Sequence, residues 1–115
     1  MQFKNNTKNY LNIIFIILFA SAISGCKKDD AKPGTNEVWM QNTAFTPGSI
    51  TVAVNTTITW TNKDGTNHTV TSDSTLFDSG SIGNGGTFSH QFTVAGTFSY
   101  HCKIHSGMTG MIIVH

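Results

Sequence analysis

Three side chains that bind soft metal ions lie close together near the C-terminal end of this 115-residue chain. Cys102, His105 and Met108 follow one another at intervals of three residues, so a single loop could present all three. Thiolate, imidazole and thioether are the ligand types that select copper, and a second, distant histidine would complete the set. The strand-like segment Asn67–Thr71 offers His68 for this role. The sequence therefore predicts a copper site made of these four residues.

Met111 is the alternative to Met108 as the thioether ligand. We favour Met108 because Met111 begins the apolar run Met111–Val114, where its side chain is expected to pack in the core. Cys102 could instead be an ordinary buried residue, as a single cysteine in a small domain often is. Its position ahead of His105 and Met108 in the same segment favours the ligand role.

The remaining histidines have simpler interpretations than metal binding. His90 lies between two phenylalanines at alternate positions, which indicates a structural role on a packed face. His101 directly precedes Cys102, so it should point to the opposite face of its strand and lie near the surface. The C-terminal His115 is expected to be exposed to solvent, and both tryptophans are expected in the core or on a sheet surface.

Apolar and polar residues alternate with a period of two in the second half of the chain, which is typical of half-buried β-strands. The clearest sets on one face are Ile50, Val52 and Val54; Ile58 and Trp60; Phe88, His90 and Phe92; and Phe98, Tyr100 and Cys102. Turn-forming residues separate these runs, for example at Thr46-Pro47-Gly48, Lys63-Asp64-Gly65 and Gly83-Asn84-Gly85-Gly86. About seven short strands at this spacing predict an all-β fold of two packed sheets.

The composition excludes several classes of function. Charged residues make up 11% of the chain, the formal net charge is +1, and arginine is absent. We therefore expect no nucleic-acid partner, since no basic patch is available. The sequence contains no catalytic triad, phosphate-binding glycine loop or close carboxylate pair at recognisable motif spacing. Four protein ligands would also leave a metal without an open position for substrate, so we expect a protein that is not an enzyme.

Residues 1–25 have the features of a signal peptide. Lys4 and Lys8 precede an apolar stretch, and small residues then lead to the segment Ile23–Cys26. That segment resembles the lipobox of bacterial lipoproteins, in which the cysteine becomes the lipidated first residue of the mature chain. The sequence therefore predicts lipidation of Cys26 and an anchor in a membrane.

The rest of the chain divides at about residue 36. Cys26 and the polar segment that follows it form a flexible tether over residues 26–36, and the folded domain is expected over residues 37–115. Cys26 and Cys102 thus have separate roles and are not interpreted as a disulfide. We expect a lipid-anchored protein of the bacterial cell envelope, on the periplasmic side or at the outer-membrane surface.

The predicted domain resembles a cupredoxin (a blue copper protein) of the plastocyanin/amicyanin type over nearly all of residues 37–115. The segments that carry the resemblance are Phe45-Thr46-Pro47, Ile50-Thr51-Val52, Ile58-Thr59-Trp60-Thr61-Asn62, His68-Thr69-Val70, Gly96-Thr97-Phe98-Ser99-Tyr100 and the ligand loop. The two residues between His105 and Met108 match the shorter loop of amicyanin. The resemblance implies a two-sheet Greek-key β-sandwich that holds one copper ion.

The resemblance also implies roles for the site. His68, Cys102 and His105 would be the equatorial ligands and Met108 the axial one, around a copper that alternates between Cu(I) and Cu(II). The implied function is transfer of one electron between redox partner proteins, which would dock near His105, and the protein is expected to be a monomer. Two alternatives remain: a copper-binding or copper-delivery lipoprotein of the envelope, and, more weakly, a metal-free immunoglobulin-like adhesion module.

Three residues depart from the family pattern. Thr69 stands where asparagine is frequent after the first histidine, so the group that ties the two ligand segments together is not given by the resemblance. Ile104 stands where proline is common before the second histidine. Asn55 replaces a turn glycine, and asparagine tolerates the positive φ that such a turn requires.

Overall fold

The computed structural model describes residues 31–115, and the predicted signal peptide, Cys26 and residues 27–30 of the tether lie outside them. The described chain forms eight β-strands. They are β1 (Glu37–Gln41), β2 (Ala44–Thr46), β3 (Ser49–Val52), β4 (Thr56–Asn62), β5 (Thr71–Ser72), β6 (Thr87–Phe92), β7 (Gly96–His101) and β8 (Thr109–Val114). Within residues 31–115, no helix is long and apolar enough to cross a membrane.

The strands form two four-stranded sheets. The order is β2-β1-β4-β6 in the first sheet and β3-β8-β7-β5 in the second. Each sheet is mixed, because β1 pairs with β4 and β3 pairs with β8 in parallel while the other pairs are antiparallel. The predicted all-β, two-sheet sandwich is confirmed, with eight strands in the described chain instead of about seven.

The alternating side chains of the strands meet in an aromatic core. Trp60 of β4 and Tyr100 of β7 are fully buried, and their rings meet edge to face with centroids 5.4 Å apart. Phe92 packs against Trp60 from the neighbouring strand β6. The predicted core positions of tryptophan and of the alternating aromatic residues are therefore found in the structure, and apolar burial of this kind is the main stabilising contribution to such a fold.

Three local predictions from the alternation are wrong. The segment around His68 is not a strand; it makes one isolated bridge to Ile82, and β5 begins only at Thr71. Val54 lies beyond the end of β3 and is 39% exposed. Met111 is 36% exposed, because Ile112 and Val114 are the buried residues of β8, so its side chain does not fill the core.

The sheet topology brings the C-terminal ligand residues together in one hairpin. β7 and β8 are antiparallel neighbours whose last pair is His101 with Thr109, so residues 102–108 form the loop that joins them. Cys102 is the first residue of this loop and Met108 the last. The ladder of β7 and β8 therefore holds both ends of the ligand loop at a fixed separation.

Candidate metal centre

The side chains of His68, Cys102 and His105 form a compact cluster. The Nδ1 atoms of the two histidines lie 3.1 Å apart, and each lies 3.8 Å from Sγ of Cys102. His68 and Cys102 are buried, whereas His105 is half-buried. The structure thus brings three of the predicted ligand residues to one point with their donor atoms facing each other.

These separations suit a metal ion bound between the three atoms. Metal–nitrogen bonds of about 2.0 Å and metal–sulfur bonds of about 2.3 Å, meeting at trigonal angles, place nitrogen and sulfur roughly 3.7 Å apart. The observed value is 3.8 Å for both histidines. One thiolate and two imidazole nitrogens are the equatorial donors of a blue-copper site, so the residues present fit copper.

The thiol of Cys102 is held in an environment that favours its metal-binding form. Burial raises the pKa of this thiol, but hydrogen bonds from the Thr69 amide, from His105 and from His68 lower the pKa to about 6. The Thr69 amide donates a hydrogen bond to Sγ, with the nitrogen 3.4 Å from the sulfur. Because the thiolate is the species that binds metal, Cys102 is prepared for ligation near neutral pH.

His68 is fixed through both its backbone and its ring. Its amide donates to the Ile82 carbonyl at 3.1 Å, and its carbonyl accepts from the Ile82 amide at 2.8 Å. The side chain is completely buried, and Nε2 lies 2.8 Å from Oδ2 of Asp64. The other ring nitrogen, Nδ1, faces the cluster, so each polar atom of this buried ring has a defined neighbour.

The ligand loop is closed by its own backbone hydrogen bonds. The Cys102 amide donates to the Met108 carbonyl at 3.0 Å, and the Met108 amide donates to the His105 carbonyl at 3.3 Å. Gly107 has φ +84°, a conformation that glycine adopts without strain. Met108 is 3% exposed at the end of this turn, so the fourth predicted ligand is buried in the same loop as Cys102 and His105.

The loop also provides the exposed surface nearest to His105. Ile104 is 50% exposed, and Ser106 and Gly107 are exposed beside it. Lys103 is the charged residue of the loop, and its ammonium group is paired with the carboxylate of Asp78. The exposed part of this loop beside His105 is therefore partly apolar and low in free charge.

Comparison with known proteins identifies the family to which the chain belongs. A family model described as a cupredoxin-like domain matches residues 12–114. The chain belongs to the cupredoxin family. The resemblance that the sequence motifs carried is thereby confirmed.

Individual relatives agree with this assignment. The plastocyanin of Scenedesmus fuscus is 32% identical to this cupredoxin over 83 residues, which cover 61% of this chain and 85% of the plastocyanin. A purple cupredoxin from Nitrosopumilus maritimus is 26% identical, with a TM-score of 0.64, and the match covers 69% of this chain and 98% of that one. An amicyanin variant in its Cu(I) form is 25% identical, with a TM-score of 0.66, and the match covers 69% of this chain and 80% of the amicyanin.

A larger protein contains the same fold. A copper-containing nitrite reductase from Thermus scotoductus is 26% identical to this cupredoxin, with a TM-score of 0.65. The match covers 79% of this chain but 24% of the reductase. His68, Cys102, His105 and Met108 of the cupredoxin are arranged as a copper site, and copper is the cofactor that the family membership and the donor set both indicate.

The other candidate residues lie apart from the cluster. His101 points away from Cys102, is 39% exposed and pairs through Nδ1 with Asp73, as expected for the opposite face of β7. His90 packs between Phe77 and Phe92, with ring centroids 4.8 and 4.9 Å away, and burial lowers its pKa. Neither histidine shares a hydrogen bond with the cluster within the described chain.

The structure resolves one open point of the sequence and adds one residue that the sequence did not reveal. Thr69 Oγ1 accepts a hydrogen bond of 2.8 Å from the Lys103 amide, so threonine ties the two ligand segments together. Asp64, which the sequence indicated only as part of a turn, contacts the ligand residue His68. The two residues are four apart, a spacing that predicts a side-chain contact on a helix but not in this segment, which is not helical.

Proposed function

We propose that this cupredoxin is a single-domain type 1 copper protein that carries one electron at a time between redox partners in the cell envelope. The observation that carries the proposal is the triangle of His68 Nδ1, His105 Nδ1 and Cys102 Sγ, held on two backbone segments of the sandwich. Copper, when bound, supplies one-electron chemistry by alternating between Cu(II) and Cu(I). The four residues His68, Cys102, His105 and Met108 would hold it.

The protein's contribution is to keep the donor atoms in place in both oxidation states. The backbone of His68 is bound to Ile82, and the two ends of the ligand loop are bound to each other through Cys102 and Met108. Side chains fixed by such supporting contacts keep their geometry better than side chains on free loops. Little rearrangement would then accompany each electron transfer, which supports a carrier over a catalyst.

The half-buried His105 is the proposed exit for the electron. It is the ligand with the greatest exposure in the cluster, and exposed Ile104 and Gly107 lie beside it. Because Lys103 is paired with Asp78, the surface offers little free charge with which to steer a partner. We infer that a redox partner protein recognises this patch mainly by shape, and that its docking depends weakly on ionic strength.

The proposed location follows from the sequence of the N-terminal segment. The segment Ile23–Cys26 suits lipidation at Cys26, and residues 27–36 are polar enough to serve as a tether. A protein anchored in this way would act at a membrane surface of the bacterial envelope, as a monomer. Mass spectrometry of the mature protein tests this part, because acylation at Cys26 must add the mass of the lipid and a Cys26→Ala variant must lose it.

The function itself is tested by adding Cu(II) to the purified protein and recording its visible spectrum. We expect an intense thiolate-to-copper band that is lost in Cys102→Ala and retained in His90→Ala, a variant that removes a histidine outside the cluster. Titration with a one-electron reductant should bleach the band with one electron per copper. A colourless copper complex would contradict the blue-copper proposal.

The alternative to an electron carrier is a protein that delivers copper to a partner. A carrier of electrons should keep its copper through repeated oxidation and reduction in the presence of physiological thiols. A delivery protein should release Cu(I) to a partner or a competing chelator under those conditions. Rapid loss of copper on reduction, with no electron exchange to a second cupredoxin, would favour delivery.

A further inference from the structure

We propose that Asp64 is a positioning residue of the metal centre, which fixes the tautomer and the orientation of the His68 ring. The inference rests on the proposed ligation of copper by His68. It concerns a residue that lies outside the ligand set and that no sequence motif marks. The carboxylate of Asp64 contacts both His68 and a strained turn, and the backbone amide of Asp64 is held by the buried side chain of Asn62.

The first step concerns which nitrogen of the His68 ring carries the proton. A neutral imidazole carries one N–H, and either nitrogen can hold it. Asp64 Oδ2 lies 2.8 Å from Nε2, and an ionised carboxylate can only accept a hydrogen bond. Nε2 must therefore be the donor, and Nδ1 is left with its lone pair pointing at Cys102 Sγ and His105 Nδ1. The carboxylate thus selects the tautomer in which the ring can bind metal through the atom that faces the cluster.

The second step is the position of the carboxylate, which is fixed from another part of the fold. The amide of Asn42 donates to Oδ1 at 2.8 Å, and the amide of Thr43 donates to Oδ2 at 3.0 Å. These two residues form the turn between β1 and β2, whose strands pair up to Gln41 and Ala44. The carboxylate therefore receives three hydrogen bonds, from two neighbouring amides and from the His68 ring.

The backbone conformation of that turn supports a specific role for its contact with the Asp64 carboxylate. Asn42 and Thr43 have φ values of 55° and 57°, so both lie in the left-handed region. A two-residue hairpin turn of this kind favours Asn-Gly, and a β-branched residue at the second position is strained. Thr43 keeps this conformation with its amide directed at Asp64. Backbone strain of this type persists where the surrounding structure enforces it, and here the enforcing group is the carboxylate of Asp64, the partner of His68.

The third step is the loop that carries Asp64. Asn62 is completely buried, and its Oδ1 accepts from the Asp64 amide at 2.8 Å. Its Nδ2 donates to the carbonyls of Thr66 and of Ile82, the residue that also pairs with the backbone of His68. One buried amide side chain therefore holds both ends of the segment that runs from Asp64 towards His68. The side chain of Asn62 therefore fixes the position of the Asp64 carboxylate relative to the His68 ring.

The decisive measurement is the tautomer of His68 in the copper-free protein. Long-range proton–nitrogen NMR spectra distinguish a ring protonated at Nε2 from one protonated at Nδ1. We expect His68 of the unaltered protein to hold its proton at Nε2 throughout, and Asp64→Ala to populate the Nδ1 form as well. The matched control is Asp73→Ala, which removes the carboxylate partner of His101, a histidine outside the cluster. The control should leave the spectrum of His68 unchanged.

A second measurement uses the bound metal. Loss of a partner of a ligand residue lowers metal affinity by roughly 10–100-fold. We expect Asp64→Ala to weaken Cu(II) more than Cu(I), because the lost negative charge favoured the more highly charged ion. A tenfold change in the ratio of the two affinities corresponds to a rise of about 59 mV in the one-electron potential. Asp73→Ala should change that ratio by less than twofold.

The variant Asp64→Asn separates positioning from folding. It retains one oxygen that can accept from Nε2 and from the Thr43 amide, although it loses the acceptor of the Asn42 amide. Because it is also close in shape to the native side chain, it should fold even where alanine does not. We expect it to keep the Nε2 tautomer but to shift the affinity ratio in the same direction as alanine. If both variants fold and behave like Asp73→Ala in both measurements, Asp64 is structural only and the inference is wrong. The tautomer is read without copper, so failure of the proposed function would not be mistaken for failure of this inference.

Discussion

Thr69 Oγ1 lies 2.8 Å from the amide nitrogen of Lys103 and accepts its hydrogen bond. Thr69 directly follows His68, and Lys103 directly follows Cys102. The Thr69 amide also donates to Cys102 Sγ. One residue therefore ties the His68 segment to the ligand loop through both its side chain and its backbone. The family resemblance suggested asparagine for such a link, and a hydroxyl performs it here.

The first prediction concerns this hydroxyl. Thr69→Val keeps the shape and the amide of the residue but leaves the Lys103 amide without its acceptor. We expect the free energy of unfolding to fall by about 1–3 kcal/mol, because the Lys103 amide loses its acceptor and the hydroxyl of Thr71 loses its hydrogen bond to Thr69. The copper complex should also lose its metal faster, because the ligand loop is less firmly held. Urea unfolding and the rate of copper transfer to a chelator measure the two effects.

Two variants control this prediction. Thr69→Ser retains the hydroxyl and should restore the slow loss of copper. Thr57→Val makes the same chemical change at an exposed position of β4 and should leave both measurements almost unchanged. Equal rates of copper loss in the native protein and in Thr69→Val would show that the hydroxyl does not secure the loop.

The second prediction concerns the pH dependence of the copper-free protein. Burial raises the pKa of Cys102, but hydrogen bonds from Thr69, His105 and His68 lower it to about 6, whereas an unfolded thiol has a pKa near 9.0. Between these values the unfolded state binds the additional proton, so stability should rise with pH from about 6 to about 9. The contribution is complete above the unfolded value and is lost as the pH falls through about 6. The slope can reach about 1.4 kcal/mol per pH unit.

Denaturant unfolding at a series of pH values tests this expectation. Cys102→Ser removes the titrating group and should flatten the curve between pH 6 and 9. The ultraviolet absorbance of the thiolate should show a midpoint near pH 6 in the folded native protein. A midpoint near 9 would mean that the hydrogen bonds to the sulfur do not outweigh its burial.

The third prediction concerns Gly110, which pairs with Tyr100 across β7 and β8. A Cβ atom at Gly110 would overlap the ring and hydroxyl of Tyr100, which is fully buried. We expect Gly110→Ala to destabilise the fold by about 1–3 kcal/mol, the usual cost of overpacking a core. The control is Gly65→Ala, because no atom lies within 4 Å of the Cβ that it would add. Thermal unfolding of the two variants should differ clearly, and equal melting temperatures would contradict the steric argument.

The sandwich itself could be predicted from the sequence because its strands carry a local signal. Ile58 and Trp60 of β4 are buried at alternate positions, and β6 pairs with β4 as a similar alternating strand. The strand β5 has no such signal, because its two residues, Thr71 and Ser72, are both polar and both buried. These two polar residues form a strand because they pair with β7, and not because of their own sequence.

The metal cluster could be predicted for a different reason. Cys102, His105 and Met108 are close in sequence, and their chemical types are rare in one short loop. The contact of Asp64 with His68 could not be predicted, because its geometry depends on the turn of Asn42 and Thr43, more than 20 residues upstream in the chain. Contacts that depend on the meeting of distant segments leave no pattern in a single sequence.

The last prediction concerns the axial ligand and uses the correction to Met111. The run Met111–Val114 is apolar at every position, so the sequence does not say which residues face inwards, and the structure exposes Met111 while it buries Met108 in the loop. We therefore expect Met108→Leu to raise the reduction potential, because loss of the thioether disfavours Cu(II) more than Cu(I). Met111→Leu makes the same change outside the site and is the matched control. The potential should move by about 59 mV for each tenfold change in the affinity ratio, and equal small shifts in both variants would contradict the axial role of Met108.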